Sequence, residues 1–285
     1  MEITHTTLKI GLEKPVRVLH VTDTHVALSD ERDDERCRRV IERCQRVNGD
    51  PDGAVKIQYL RNAIEYANEH CDLLVHSGDF LCNVAILSIE KTREALAASK
   101  NWLLVAGNHE FTRYGFDAWE DETYKLGAYP TLERIIGQDL LFTSRAVGGV
   151  NFVGIDDSYN QFQEWQLWRL KREAQKGLPM VLFMHVPLFE QSLYEKTMEI
   201  NRNDCCYLVG CDEEHLLPMS EFRAVQHRPT QATLHMIDYI NSEPLIKALL
   251  TGHVHFDYES RLPGGAIQYV THMNFDDRAR ELTLV

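Results

Sequence analysis

Carboxylate and imidazole side chains recur in five short blocks along the chain, and both are side chains that bind metal ions. In chain order the blocks are Asp23-Thr24-His25, Gly78-Asp79, Gly107-Asn108-His109-Glu110, His185 and Gly252-His253-Val254-His255. Carboxylate oxygen together with imidazole nitrogen suits Mn, Fe, Co, Ni or Zn, whereas Ca²⁺ and Mg²⁺ favour ligand sets made of oxygen alone. The blocks therefore indicate a transition-metal site.

The number of candidate ligands in these blocks is too large for one open catalytic ion. The candidates are Asp23, His25, Asp79, Asn108, His185, His253 and His255. Such a set suits two ions about 3.5–4 Å apart, a spacing used for in-line attack on phosphorus. A carboxylate is the natural bridge, because its oxygens can contact both ions. The glycines before Asp79, Asn108 and His253 allow the backbone to turn tightly beside the ions.

The blocks follow apolar segments that the sequence predicts to be β-strands. Strands are predicted at 16–22, 72–76, 102–106, 151–155 and 180–184, and another begins at 247. Charge or helical periodicity predicts helices at 30–47 (exposed), 56–69, 84–100 and 165–175, and turn residues predict a terminal hairpin within 256–271. Short apolar strands alternating with helices predict an α/β sheet covered on both faces. Ligands of such sheets bind beyond the carboxyl ends of the strands, which is where the blocks lie.

The ordered set DxH, GD, GNHE, H and GHxH resembles the calcineurin-like metallophosphoesterase superfamily, and the resemblance spans Asp23 to His255. It implies an α/β fold, a four-layer αββα sandwich with two central mixed β-sheets, as a single domain over 1–285. It also implies a ligand assignment. One ion would be held by Asp23, His25 and His255, the other by Asn108, His185 and His253, and Asp79 would bridge the two.

The resemblance further implies that Asp79 and His109 are catalytic. A hydroxide bridging the ions would attack phosphorus, because two cations lower the pKa of bound water. His109 matches the family's non-ligand histidine, which would stabilise the transition state or protonate the leaving oxygen. His185 belongs to no extended motif, but no other histidine between the third and fifth blocks follows such a strand. Glu110 would either orient a neighbouring group or pair with a cation.

The remaining histidines point mostly to structural roles. His20, within the first predicted strand, is expected to be a hydrogen-bonded core residue, and His76 could hold a ligand in place. His272 follows the last predicted strand and could reach the site only if the hairpin returns to it. The stretch from Asp156 to Tyr159 could line the mouth of the site.

The chain departs from some subfamilies in ways that restrict its substrate. Cys82 stands where many members have an acid three residues after the bridging Asp79, so this part of the pocket is altered. No arginine follows Asp79, and Ala106 precedes Gly107, so the phosphate-binding arginines of the protein phosphatases are missing. We therefore expect a small phosphoester rather than a phosphoprotein. The subfamily resemblance alone slightly favours a phosphodiester over a monoester. The alternatives are a phosphomonoesterase, or a non-catalytic scaffold or phospho-ligand binding protein that keeps the fold.

A long polar stretch over 188–243 separates the fourth block from the fifth. It leaves directly after His185 and carries the candidate substrate-binding residues Arg202, Arg223 and Arg228. It either folds over the metals as a substrate-recognition cap or forms a surface excursion with exposed charges.

Bulk composition excludes several classes of protein. The formal net charge of −13 argues against tight nucleic-acid binding, which requires clustered Lys and Arg. No apolar run is long enough to span a membrane. The seven cysteines are odd in number and form no CxxC pair, so the sequence predicts no disulfide framework and a cytoplasmic location.

Overall fold

The computed structural model describes residues 1–111, 122–201, 208–216 and 221–285, with the backbone alone for 221–223. Its strands are β1 (Glu2–Leu8), β2 (Val16–Val21), β3 (Leu73–His76), β4 (Trp102–Leu104), β5 (Phe142–Val147), β6 (Val150–Ile155), β7 (Met180–Phe183), β8 (Ile246–Thr251), β9 (Tyr258–Arg261), β10 (Ile267–Val270) and β11 (Arg278–Leu284). Its helices are α1 (Glu35–Val47), α2 (Ala54–His70), α3 (Ile86–Leu96), α4 (Glu122–Ile136), α5 (Glu164–Ala174), α6 (Gln191–Asn201), α7 (Glu213–Leu216), α8 (Glu221–His227) and α9 (Gln231–Ser242).

The strands form two sheets, each with parallel and antiparallel neighbours. One sheet has the order β1-β11-β2-β3-β4 and the other the order β5-β6-β7-β8-β10-β9. Strands β2, β3 and β4 run parallel, as do β6, β7, β8 and β10. Their carboxyl ends therefore lie along one edge of each sheet. The prediction of two mixed sheets is confirmed.

Three apolar layers separate the sheets from each other and from the helices. In β7, Val181 and Phe183 pack against the other sheet, while Met180 and Leu182 pack against α5 and α9. This alternation follows from the two-residue period of a strand, and each fully buried aliphatic side chain contributes about 1.5–3 kcal/mol. On the far side, α2, α3 and α4 cover the first sheet. The layers are thus helix, sheet, sheet and helix, and the predicted four-layer sandwich is confirmed.

The predicted strands and helices agree with the structure to within a few residues at most ends. Helix α1 begins at Glu35 rather than at 30, because Asp34 caps it by accepting a hydrogen bond from Cys37 N. Its Cys37, Ile41 and Cys44 are buried, so the helix is only partly exposed. The predicted hairpin forms from β9 and β10, but it is not the terminal element, since β11 follows and inserts between β1 and β2 of the other sheet.

A disulfide joins Cys44 of α1 to Cys82, which follows β3. The prediction of a chain without disulfides is wrong for this pair. Spacing could not reveal it, since the two cysteines are 38 residues apart and meet only in the tertiary structure. They lie in a small apolar cluster with Ala27, Ile41 and Ala85.

Within the described ranges, no helix combines the length and the apolar character needed to cross a bilayer.

Candidate metal centre

The five blocks meet at the carboxyl ends of β2, β3, β4, β7 and β8. One group of candidate ligands comprises Asp23, His25 and His255, whose ligand atoms all lie within 4.8 Å of one another. Within it, Asp23 Oδ1 is 3.2 Å from His255 Nε2 and 3.7 Å from His25 Nε2. Both Asp23 and His25 are buried. A buried carboxylate facing two imidazoles is suited to hold a cation.

A second group comprises Asp79, His185 and His253, again with ligand atoms within 4.8 Å of one another. His185 Nε2 is 3.1 Å from Asp79 Oδ2 and 3.2 Å from His253 Nδ1. These three ligand atoms are therefore close enough to one another to bind one ion. Asn108, the remaining candidate, is half-buried in the adjoining loop, where the next residue, His109, donates its backbone N–H to Asp79 Oδ1 at 2.8 Å.

Asp79 connects the two groups. Its Oδ2 lies 3.1 Å from His185 Nε2 in the second group and 4.0 Å from His25 Nε2 in the first. A third set of neighbouring side chains, formed by His25, Asp79 and His109, shares one residue with each group. The carboxylate of Asp79 is therefore placed where one side chain can reach two ions.

Most of the candidate ligands have an unusual backbone conformation. Asp23, His25, Asp79, His253 and His255 have φ between 52° and 66°. In the described ranges, only two other non-glycine residues have a positive φ. Left-handed backbone is strained for residues with a Cβ, and such residues cluster at functional sites. The strain thus coincides with the predicted metal ligands.

Backbone hydrogen bonds hold the first two ligand loops side by side. Asp23 N donates to Gly78 O, and His25 N donates to Asp79 O, both at 3.0 Å. Val26 then forms an isolated parallel bridge with Leu81. The loops after β2 and β3 therefore continue their strands' pairing past the sheet edge, and this brings Asp23 and Asp79 into register.

Two glycines are required by the close approach of ligand carboxylates. A Cβ at Gly107 would overlap Asp79 Oδ1, and a Cβ at Gly252 would overlap Asp23 Oδ2 and Thr22 Oγ1. Both positions exclude any side chain while the carboxylates keep their places.

The charges of the site are arranged around the two buried carboxylates. Burial opposes ionisation of Asp23, but His185 and His255 outweigh it and hold the pKa of Asp23 well below its usual range. The pKa of Asp79 is lowered in the same way, by His185 and His109 against the effect of burial. Burial also lowers the pKa of His185, yet the two carboxylates raise it to about 10. The carboxylates thus attract positive charge to the point between the ligands.

Burial and neighbouring charges set the pKa values of the other ligand histidines in different directions. Burial and the neighbouring His185 lower the pKa of His253 to about 3. Burial lowers the pKa of His25, whereas Asp23 overcomes burial and raises the pKa of His255. A neutral imidazole is the form that binds a metal ion.

His109 faces the centre with a defined ring orientation. Its Nδ1 lies 2.8 Å from the carbonyl oxygen of Cys82, which can only accept, so Nδ1 carries the proton. Its Nε2 then points towards Asp79 Oδ2, 3.9 Å away. The side chain is 24% exposed, so it is within reach of a substrate at the ions.

Glu110 orients backbone at the centre. Its fully buried carboxylate accepts hydrogen bonds from the backbone N–H groups of Asp79 (2.9 Å), Leu81 (2.9 Å) and Gly107 (2.7 Å). Burial and the charge of Asp79 raise its pKa to about 8. Of the two roles predicted for Glu110, these contacts favour orientation, because one carboxylate joins the GD loop to the GNHE loop.

Two further histidines support the loops. His20 is a buried core residue, as predicted, and its ring nitrogens hydrogen-bond with Thr271 and Ser77. His76 lies behind the ligands, with Nε2 2.9 Å from Thr24 Oγ1, in the middle of the DxH block. This contact is with a residue between two candidate ligands and not with a ligand, so the role of His76 in holding a ligand in place stays a prediction.

The role of Asp157 differs from the one that the sequence predicts. The sequence indicates only a residue that lines the mouth of the site, but Asp157 is fully buried and accepts hydrogen bonds from His185 N and Val186 N. Burial raises its pKa to about 7. The available signal was an acidic residue just after an apolar strand, the same signal that identified Asp23 and Asp79.

The predicted substrate-binding arginines do not form a described cluster. Arg202 and the side chain of Arg223 lie outside the described residues. Arg228 forms an ion pair with Glu213 on the surface, where its side chain is 50% exposed. In the described ranges, no contact links Arg228 to the seven candidate ligands.

Comparison with known proteins identifies the family. The family model for calcineurin-like phosphoesterases matches residues 16–257, which include all five blocks. This chain is a calcineurin-like phosphoesterase. The family makes it a metal-dependent phosphoester hydrolase, in agreement with the donor groups described above. Among curated protein sequences, none is significantly similar to this phosphoesterase.

Solved structures with the same fold include two phosphatases. A dimetal phosphatase from Danio rerio is 15% identical with a TM-score of 0.52, over 91% of this phosphoesterase and 88% of that chain. A purple acid phosphatase from yellow lupin (Lupinus luteus) seeds is also 15% identical with a TM-score of 0.52, over 91% of this phosphoesterase and 44% of that chain. At these identities the likeness concerns the fold.

Proposed function

We propose that this phosphoesterase hydrolyses a small phosphoester with a pair of Mn, Fe or Zn ions, and that a phosphodiester is preferred to a monoester. The observation that carries the proposal is the position of Asp79 between two donor groups, with Oδ2 3.1 Å from His185 Nε2 and 4.0 Å from His25 Nε2. The similarity to a protein named as a dimetal phosphatase supports two ions. The preference for a diester rests on the motif resemblance alone.

The donor set fits two ions in number and in chemistry. Mixed carboxylate and imidazole groups suit Mn, Fe or Zn, and the buried carboxylates already attract positive charge. We assign Asp23, His25 and His255 to the first ion, Asn108, His185 and His253 to the second, and Asp79 to both. When bound, the ions would supply an activated water and offset charge on the phosphoryl oxygens.

The protein's own contribution beyond the ligands comes from His109. Because the Cys82 carbonyl holds its Nδ1 proton, the ring presents Nε2 to the centre. We propose that the imidazolium form, protonated on both nitrogens, donates its Nε2 proton to the leaving oxygen and returns to the neutral ring with Nδ1–H; such proton donation contributes typically 10²–10⁴-fold in rate. Its partial exposure allows that proton to be replaced from solvent between turnovers.

We propose that 188–243 includes a cap beside the metal centre. The stretch leaves the sheet three residues after His185, and its Leu193 and Leu216 pack in one apolar cluster with Val254, which lies between His253 and His255. Its last helix, α9, packs on α5 in the outer layer. The cap would therefore come from the part before α9. A raised KM in the variants Arg202→Ala or Arg223→Ala, together with an unchanged KM in Arg228→Ala, would support this arrangement.

The function is tested by hydrolysis of p-nitrophenyl phosphate and bis-p-nitrophenyl phosphate after metals are stripped and restored one at a time. We expect activity to depend on added metal and the diester to react faster. Asp79→Asn should lower kcat by roughly a hundredfold or more, because several kcal/mol of charge stabilisation are lost.

Asp72→Asn is the matched control for this variant. Asp72 lies at the opposite end of β3, where it accepts the backbone N–H of Arg17, so the same chemical change should leave activity intact. Equal loss in both variants, or full activity in Asp79→Asn, would reject the bridging role. An absence of hydrolysis with every metal would favour a scaffold or a phospho-ligand binding protein.

The cytoplasmic location remains a prediction. It was based on cysteine usage, and the Cys44–Cys82 disulfide weakens that basis.

A further inference from the structure

The carboxylate of Asp157 lies behind His185 and binds its backbone. Asp157 follows β6, which pairs in parallel with β7, the strand that leads to His185. Its Oδ1 accepts hydrogen bonds from His185 N (3.0 Å) and Val186 N (3.1 Å), and its Oδ2 lies 3.2 Å from Val186 N. Asp157 and His185 are both fully buried. A buried carboxylate is therefore committed to the two N–H groups that begin the loop after β7.

The ring of His185 is held from a second direction. Its Nδ1 lies 3.1 Å from the carbonyl oxygen of Ser77, which can only accept, so this nitrogen carries a proton. The other nitrogen, Nε2, faces Asp79 Oδ2 and His253 Nδ1. Ser77 thus sets the direction of the ring and Asp157 sets the position of the backbone. Together they determine where Nε2 lies.

We propose that Asp157 is a positioning residue that sets the metal affinity of the subsite formed by Asn108, His185 and His253. The inference rests on the proposed function, because it assumes that His185 binds an ion. Hydrogen bonds from N–H groups to an ionised acceptor are about twice as strong as neutral ones, so a carboxylate holds this loop more firmly than an amide would. Its negative charge behind His185 also favours a cation in front of the ring.

The neighbouring Asp156 offers a matched control. It is also buried, but its carboxylate pairs with Lys125 and accepts the backbone N–H of Ser158. The same substitution at 156 and at 157 therefore removes the same charge from adjacent residues, and only one of them contacts the His185 loop.

The experiment measures metal binding directly. Metal-free wild-type protein, Asp157→Asn, Asp157→Ala and Asp156→Asn are titrated with Mn²⁺ by calorimetry, and bound metal is counted by mass spectrometry after dialysis. Partners that orient metal ligands typically contribute 10–100-fold in affinity. We expect Asp157→Ala to weaken one of the two ions by that factor and to leave the other unchanged. Asp157→Asn keeps an oxygen that can accept the N–H groups but loses the charge, so its affinity should lie between that of Asp157→Ala and that of the wild type.

The outcomes separate this inference from the proposed function. Wild-type protein that binds no Mn²⁺ would remove the proposed function itself. Wild-type protein that binds two ions, with Asp157→Asn and Asp157→Ala both matching Asp156→Asn, would overturn the positioning role alone. Loss of both ions together, or failure of both Asp157 variants to fold, would assign Asp157 to the general stability of the domain and would also overturn it.

Discussion

Metal binding to this protein should compete with a proton on His185. The pKa of His185 is lowered by burial but raised by Asp79 and Asp23, and the result is about 10. A metal ligand must be a neutral imidazole, so an ion has to displace this proton. The pKa of His185 lies about three units above pH 7, and one pKa unit corresponds to about 1.4 kcal/mol. Removing the proton at pH 7 therefore costs metal binding about 4 kcal/mol, which lowers the apparent affinity roughly a thousandfold.

The assay is calorimetric titration of the metal-free protein with Mn²⁺ between pH 6.5 and 8.5. The logarithm of the apparent association constant should rise by about one for each pH unit, that is by roughly a hundredfold over this range. Repeating the titration in two buffers of different ionisation enthalpy counts the protons released. His185→Gln should release one proton fewer than wild type, whereas His70→Gln, at the exposed end of α2, should release the same number.

The same group also affects the stability of the metal-free protein. Because the pKa of His185 is raised above its unfolded value, its stabilising contribution is complete below about pH 6.5. It is lost as pH rises towards about 10, so Tm of the metal-free protein should fall over this range. Affinity that is independent of pH, with no proton released at pH 7, would refute the reasoning.

Three other substitutions test separate parts of the structure. His109→Ala should lower kcat by roughly 10²–10⁴-fold and leave the metal content unchanged. Steady-state kinetics should show a larger loss of kcat for a substrate with a poor leaving group than for one that releases p-nitrophenol, because only the poor leaving group needs the proton. Glu110→Ala leaves three buried N–H groups without their acceptor, at about 1–3 kcal/mol each, and a calorimetric Tm within 2 °C of wild type would contradict this. The double variant Cys44→Ala/Cys82→Ala opens a 38-residue loop and should lower the free energy of unfolding by about 4 kcal/mol in urea titrations. Cys37→Ala, in the same cluster, should cost clearly less, and equal losses would refute the crosslink's contribution.

The strands that carry ligands were predictable because they are short, apolar and buried on both faces. β7 reads MVLF and every residue is buried, so hydrophobicity alone identifies it. β1 and β11 were missed for the opposite reason. Their sequences, EITHTTL and RARELTL, are mostly polar, and only their pairing with each other and with β2 makes them strands. Such pairing is a long-range property that no local pattern contains.

The candidate ligands were predictable because residue type, spacing and position after a strand all agreed. The residues that support them were less visible. Glu110 and Asp157 act by accepting backbone N–H groups from other loops, and these contacts depend on how the loops pack. In the sequence, Cys82 stands out only as the replacement of an acid, whereas in the structure its carbonyl orients His109 and its sulfur is bonded to Cys44. Each of these contacts joins residues that are far apart in sequence or come from different loops.

The left-handed backbone of the ligand loops restricts how this centre can be redesigned or can drift in evolution. At the five positions with positive φ, β-branched residues are excluded by their own backbone, whatever space the pocket offers. Asn, Asp, His and Gly remain acceptable, and three of these four carry a ligand atom. Changes in metal preference should therefore arise by substitutions among these few residue types, such as Asp23→Asn or His255→Asp. A change of metal preference is accordingly more accessible to this scaffold than conversion of the centre into an apolar pocket.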